Sequence, residues 1–114
     1  MKKLLLIFVI TIISMNIIAV KKDRPEMKIS PNPFEEKTFI TVTAPDNLKT
    51  ILKIVDKNEN SVAILHKGLI DDGERTFVWD GSDIDMNPLP AGKYECILDL
   101  HNRFTSVKKI IILK

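Results

Sequence analysis

From Met27 onward apolar and polar residues alternate with period two, and no window carries a convincing helical period. The clearest case is "KTFITVTA" (37–44), where Ile40, Val42 and Ala44 fall on one face and Thr41 and Thr43 on the other. "KTILKIVD" (49–56) places Leu52 and Ile54 together, and "KYECILDL" (93–100) aligns Tyr94, Cys96, Leu98 and Leu100. "ERTFVWD" (74–80) directs Phe77 and Trp79 inward, and "SVAILH" (61–66) is a short strand that Gly68 ends. "MKISPNPF" (27–34) is a first strand interrupted by Pro31 and Pro33, so it belongs at an edge or a bulge, because proline lacks the ladder N–H. "FTSVKKIIILK" (104–114) is apolar at consecutive positions from Ile110 to Leu113, which suits a strand covered on both faces or paired in mid-sheet. Pro45-Asp46-Asn47, "KNEN" (57–60), "LIDDG" (69–73) and "HNR" (101–103) supply turns or crossings. About seven closely spaced strands predict an all-β, antiparallel β-sandwich.

The N-terminus follows other rules. Lys2 and Lys3 precede an apolar run from Leu4 to Ile13, and Ser14, Asn16 and Ala19 follow. That is the pattern of an export signal helix over residues 1–19, cleaved or retained as an anchor. The run is shorter than the roughly 20 apolar residues of a spanning helix. No cysteine follows it to carry a lipid. Residues 20–28, charged and containing Pro25, read as a linker, which leaves 29–114 as one domain. Export places the product in the periplasm, on the outer-membrane surface or outside the cell, with membrane contact only through the signal segment.

Charge narrows the partners. The chain has 17 Lys+Arg against 15 Asp+Glu, and two of the lysines sit in the signal. The remainder is balanced and shows no basic stripe, which argues against nucleic acid. The single cysteine, Cys96, lies among strand residues and is expected to be buried as a small hydrophobe.

The most conspicuous chemistry lies in "WDGSDIDMNPLPAGKY" (79–94). Asp83-x-Asp85-x-Asn87 begins like a calcium loop of the D-x-[DN]-x-[DN]-G type. The sixth position, where glycine makes the sharp turn, is Pro88, and the twelfth, where a bidentate glutamate belongs, is Tyr94. Asp80, Asp83 and Asp85 stay weak metal candidates beside the reading that they bond nearby backbone N–H groups in a turn. Trp79 and Tyr94 read as core anchors more readily than as a ligand platform. Tyr94 stands two residues before Cys96, the spacing of a tyrosine corner, but no second cysteine supports that reading. His66 and His101 are expected at strand ends on the surface, and no Cys, Asp or Glu stands at metal-ligand spacing from them. No serine lies in a nucleophile motif and no glycine-rich phosphate loop is present, so neither an enzyme nor a cofactor is expected.

Taken in order, Pro31-Asn32-Pro33, Trp79-Asp80-Gly81 with Asp83, Pro90-x-Gly92-x-Tyr94 and the closing Lys109 to Lys114 resemble two bacterial groups. One is the immunoglobulin-like domain of the flagellar hook-capping protein. The other is the C-terminal sorting domain of type IX secretion cargo. The resemblance covers about residues 29–114 and implies a seven-stranded immunoglobulin-like fold. The family usually carries glycine within the aspartate loop, where this chain has Ile84 to Met86, and often after Asn58, where it has Glu59. The third strand has Val55 in place of a tyrosine or phenylalanine. The likeness implies a non-enzymatic sorting or binding module with a protein partner in the cell envelope or secretion machinery. A structural accessory of the hook-cap type is the alternative. Surface strand edges and the C-terminal strand are the expected contact elements.

Overall fold

The computed structural model describes residues 24–101 and 105–114. The proposed signal over 1–19 lies outside the described residues. Within them the chain has no helix and forms seven strands: β1 (Glu26–Ser30), β2 (Thr38–Ala44), β3 (Leu48–Val55), β4 (Ser61–Ile70), β5 (Gly73–Trp79), β6 (Gly92–Leu100) and β7 (Thr105–Leu113). All pair antiparallel, in a three-stranded sheet of order β1-β2-β5 and a four-stranded sheet of order β4-β3-β6-β7.

The period-two residues explain why the two sheets face each other. Ile40, Val42 and Ala44 of β2 are buried, as are Leu52 and Ile54 of β3 and Cys96, Leu98 and Leu100 of β6. Each strand alternates its side chains across the pleat, so a one-residue slip would send these groups to water. Burying aliphatic side chains of this size stabilises by about 1.5–3 kcal/mol each.

Several boundaries differ from expectation. β1 starts at Glu26, inside the stretch read as linker, because Met27 reaches the core and is 2% exposed. It ends at Ser30, so the prolines lie beyond it. β4 runs through Gly68 to Ile70, where a stop was expected. Gly68 adopts φ +135°, and Ile70, fully buried, pairs with Leu48. The core contact of Ile70 outweighs the local stop signal.

The largest difference concerns β7. Its apolar run suggested mid-sheet placement, yet β7 is the outer strand of its sheet. Ile111 and Leu113 are buried, while Ile110 and Ile112 are 47% and 40% exposed. Half of the run builds the core and half faces outward.

Candidate functional site

The separated motif pieces meet at one end of the sandwich. Trp79, at the end of β5, is 2% exposed. Its ring packs against Phe34 at a centroid distance of 5.4 Å and edge-on to Tyr94 at 5.6 Å. Its Nε1–H donates to Ser82 O at 2.9 Å. Gly81, one residue earlier, has φ +81°, and a Cβ there would lie 3.1 Å from a Leu113 methyl. A side chain at this position would be strained in the backbone and crowded by β7. Phe34, not singled out from the sequence, is the third aromatic of this cluster and is 2% exposed.

Tyr94 corrects a reading made from cysteine spacing. Its hydroxyl donates to Pro90 O, four residues upstream, at 2.6 Å. This is the geometry of a tyrosine corner at the start of the strand, formed without any disulfide. Burial, with a smaller contribution from Asp56, pushes the phenol up from its ordinary value and keeps the donating proton in place.

Pro31-Asn32-Pro33 acts across the sandwich. Both X-Pro bonds, Ser30-Pro31 and Asn32-Pro33, are cis. The Asn32 side-chain amide donates to Ile110 O at 2.8 Å and accepts from Ile112 N–H at 2.9 Å. It thereby presents to the edge of β7 the donor and acceptor that a neighbouring strand would present. Phe34 continues the line in parallel, donating from N to Ile112 O at 3.0 Å and accepting from Lys114 N at 2.8 Å. The edge that this motif blocks is therefore that of β7, and not the edge of its own strand. Thr38, fully buried, donates its hydroxyl to Pro31 O and holds the segment down. Lys114 joins the cluster through its backbone, whereas Lys109 is exposed opposite Cys96 in the register.

The aspartates resolve into one device used twice. Asp83 Oδ1 accepts from Asp85 N and Asn87 N, both at 2.9 Å. Asp83 N donates to Asn87 O and Met86 N to Asp83 O. In the β3–β4 turn, Asp56 Oδ1 accepts from Asn58 N at 2.9 Å and Asn60 N at 3.0 Å. Asp56 N donates to Asn60 O and Glu59 N to Asp56 O. The fourth residues, Met86 and Glu59, have φ of 68° and 65°. "DKNEN" (56–60) and "DIDMN" (83–87) are thus the same five-residue loop, D-x-[DN]-x-N, closed by the same four hydrogen bonds. The role of Asp56 was missed in the sequence, although the shared spelling is visible there.

This geometry gives each first aspartate a structural task. Hydrogen bonds from the Asn60 and Asn58 backbone hold Asp56 below the usual carboxylate range. Asp80 accepts from both the N–H and the hydroxyl of Ser82, and the hydroxyl contact chiefly lowers its pKa. Among the described residues no group of three or more His, Cys, Asp or Glu is placed to hold a metal ion, so Asp80, Asp83 and Asp85 are not brought together as one.

The other candidates are dispersed. His66 lies within β4, against the Phe77 ring at 5.2 Å, and not at a strand end. His101 is exposed at the end of β6. Cys96 is fully buried beside Met27 Sδ at 3.7 Å, and desolvation pushes its thiol up to about 12. A thiol so placed is a core hydrophobe at neutral pH.

Two antiparallel sheets, a tyrosine corner and an aromatic cluster clasped to the last strand define the class as an immunoglobulin-like β-sandwich. The family model of the FlgD Ig-like domain matches residues 30–99, and the chain belongs to that family. A search of curated proteins finds no match. Among solved structures, dimeric latent PorU from Porphyromonas gingivalis aligns with 16% identity and a TM-score of 0.57, over 83% of this chain and 10% of that one. PorZ, described as an essential bacterial surface component of the type-IX secretion system of the same organism, aligns with 16% identity and a TM-score of 0.49, over 77% and 11%. The DNA glycosylase AlkC of Pseudomonas fluorescens, bound to DNA, aligns with 13% identity and a TM-score of 0.46, over 82% and 31%. The chain spans about a tenth of PorU and PorZ and about a third of AlkC, and the likeness to PorU is one of fold.

Proposed function

We propose that the chain is a non-enzymatic binding and sorting module, exported to the cell envelope or beyond and recognised by a protein of the secretion machinery. The observation that carries this reading is the edge of β7. Asn32 and Phe34 occupy its outward peptide groups from Ile110 to Lys114. Ser106 and Lys108 precede them on the same edge, and among the described residues no further strand of the sheet lies beyond. An extended segment of a partner adds a strand there, in line with residues 32–34. The motif cluster then sets the shape of a docking edge and performs no chemistry. The type IX version rests on the sequence resemblance.

A reporter inserted after Lys22 of the full chain tests the reading in a host with type IX secretion. Delivery of the reporter to the cell surface or medium is expected. Retention in the periplasm overturns the sorting role. The family match favours one second reading, a structural accessory on a larger extracellular assembly, as in the hook cap. Cosedimentation of the chain with purified hook filaments supports that version, and its absence removes it.

A further inference from the structure

The outer faces of the two sheets differ in charge. Register places Lys49, Lys53, Lys67, Lys93 and Lys108 on the outer face of the four-stranded sheet, with Glu95 and Asp99 as its carboxylates. Among the described residues only Lys53 of these is paired, to Asp99 at 3.2 Å with both side chains partly exposed. On the outer face of the three-stranded sheet, Glu26 and Glu74 are matched by Lys28 and by Lys37, whose Nζ lies 5.7 Å over the Phe39 ring. A domain with balanced charges thus has one distinctly cationic side.

That side is also apolar. Ile64 and Leu69 on β4 and Ile110 and Ile112 on β7 share it, each 40–50% exposed. Four strands about 4.8 Å apart and some nine residues long make a platform on the order of 500 Å². The chemistry of the cations is uniform. Every one is a lysine, a mobile point charge on an apolar stem, and among the described residues the face holds no arginine fork. Among the same residues it holds no aromatic anchor either, and tight protein interfaces are rich in Trp, Tyr and Arg and poor in Lys. Diffuse cationic charge around exposed aliphatics on a broad sheet complements a diffuse anionic surface better than a shaped one.

We propose that the outer face of the four-stranded sheet lies against an anionic lipid surface. The lysines reach the headgroups while Ile64, Leu69, Ile110 and Ile112 meet the boundary beneath them. This goes beyond the membrane contact expected through residues 1–19. It does not cover the edge of β7 at Ser106 and Lys108, where the proposed partner strand would add.

The experiment uses the full chain with a polarity-sensitive fluorophore on an introduced cysteine, Ser61→Cys on this face or Ser30→Cys on the other. Both sites are exposed, and the native thiol is buried. Vesicles are phosphatidylcholine alone or mixed with phosphatidylglycerol. The expected result is a blue shift at position 61 and none at position 30, only with phosphatidylglycerol and weakening with salt. Lys49→Glu, Lys67→Glu and Lys93→Glu together lower the partition coefficient on the order of a hundredfold, from the free energy per lysine near an anionic surface. Lys28→Glu with Lys37→Glu leaves it unchanged. Equal response of both labels, which the apolar N-terminal run alone would produce, overturns the proposal. So does an unchanged partition in the triple variant, or binding of polyglutamate to this face without binding of vesicles. The assay contains no secretion machinery, so it can fail while the reporter experiment succeeds, and the reverse.

Discussion

Replacing Met86 or Glu59 by glycine should stabilise the domain. Each is the fourth residue of a D-x-[DN]-x-N loop, and each is held at positive φ, 68° and 65°. A side chain in the left-handed region costs about 1–2 kcal/mol, because Cβ approaches the following carbonyl oxygen. Glycine removes that cost but gives back about 0.5–1 kcal/mol through the greater freedom of the unfolded chain. Little packing is lost, since Met86 is 75% exposed and Glu59 is exposed. The net gain is about 0.5–1 kcal/mol per site. The loops are separate in the chain and share none of their closing bonds, so the double variant should gain about 1–2 kcal/mol. For a domain of this size each kcal/mol moves the melting temperature by about 4–8 °C. Thermal melts and urea titrations of both single variants, the double variant and Met86→Ala provide the measurement. Alanine leaves the positive φ in place and should give no gain. Equal behaviour of Met86→Gly and Met86→Ala, or loss of stability in the glycine variants, would refute the shared-loop reasoning.

Three other outcomes are expected. Asn32→Ala removes both hydrogen bonds to β7 and should cost about 1–2 kcal/mol in urea titration, with faster hydrogen exchange at Ile112 N–H; Asn32→Asp should do no better, because a carboxylate oxygen would then face Ile110 O. Gly81→Ala should lose about 1–3 kcal/mol, through its φ of +81° and the contact with Leu113, read as a lower urea midpoint. Cys96 should make the fold sensitive to alkali: its thiol ionises near 9.0 when unfolded and near 12 when folded, so its contribution is intact below pH 9 and declines as pH rises toward 12, by about 1.4 kcal/mol per unit. The difference in urea stability between wild type and Cys96→Ala across that range isolates this slope.

The strand faces were legible in the sequence because a buried sheet face enforces period two, and Ile40, Val42, Leu52, Ile54 and Leu98 all lie where alternation put them. The place of β7 was not. Consecutive apolar residues mean cover on both faces only when both faces are dry, and Ile110 and Ile112 instead sit half exposed on an outer strand. The role of Asn32 was hidden because its partners are 78 and 80 residues away, and local pattern says nothing about such contacts. The tyrosine corner was discounted for want of a cysteine pair, although its hydrogen bond needs only the hydroxyl and the Pro90 carbonyl. The doubled aspartate loop was legible in principle. "DKNEN" and "DIDMN" share their spelling, and their fourth residues, Glu59 and Met86, are the two non-glycine residues with positive φ among the described residues.

The central claim is that the acidic stretch after Trp79 builds the fold and that the domain's work lies on its surfaces. The most direct test is the melting temperature of wild type, Asp83→Asn and Asp83→Ala, each with calcium and with chelator. An asparagine oxygen still accepts from Asp85 N and Asn87 N, so Asp83→Asn should melt close to wild type. Asp83→Ala should lose about 1–2 kcal/mol, as a lost capping side chain does. No protein should respond to calcium. A rise in the wild-type melting temperature with calcium, abolished by Asp83→Asn, would contradict the account.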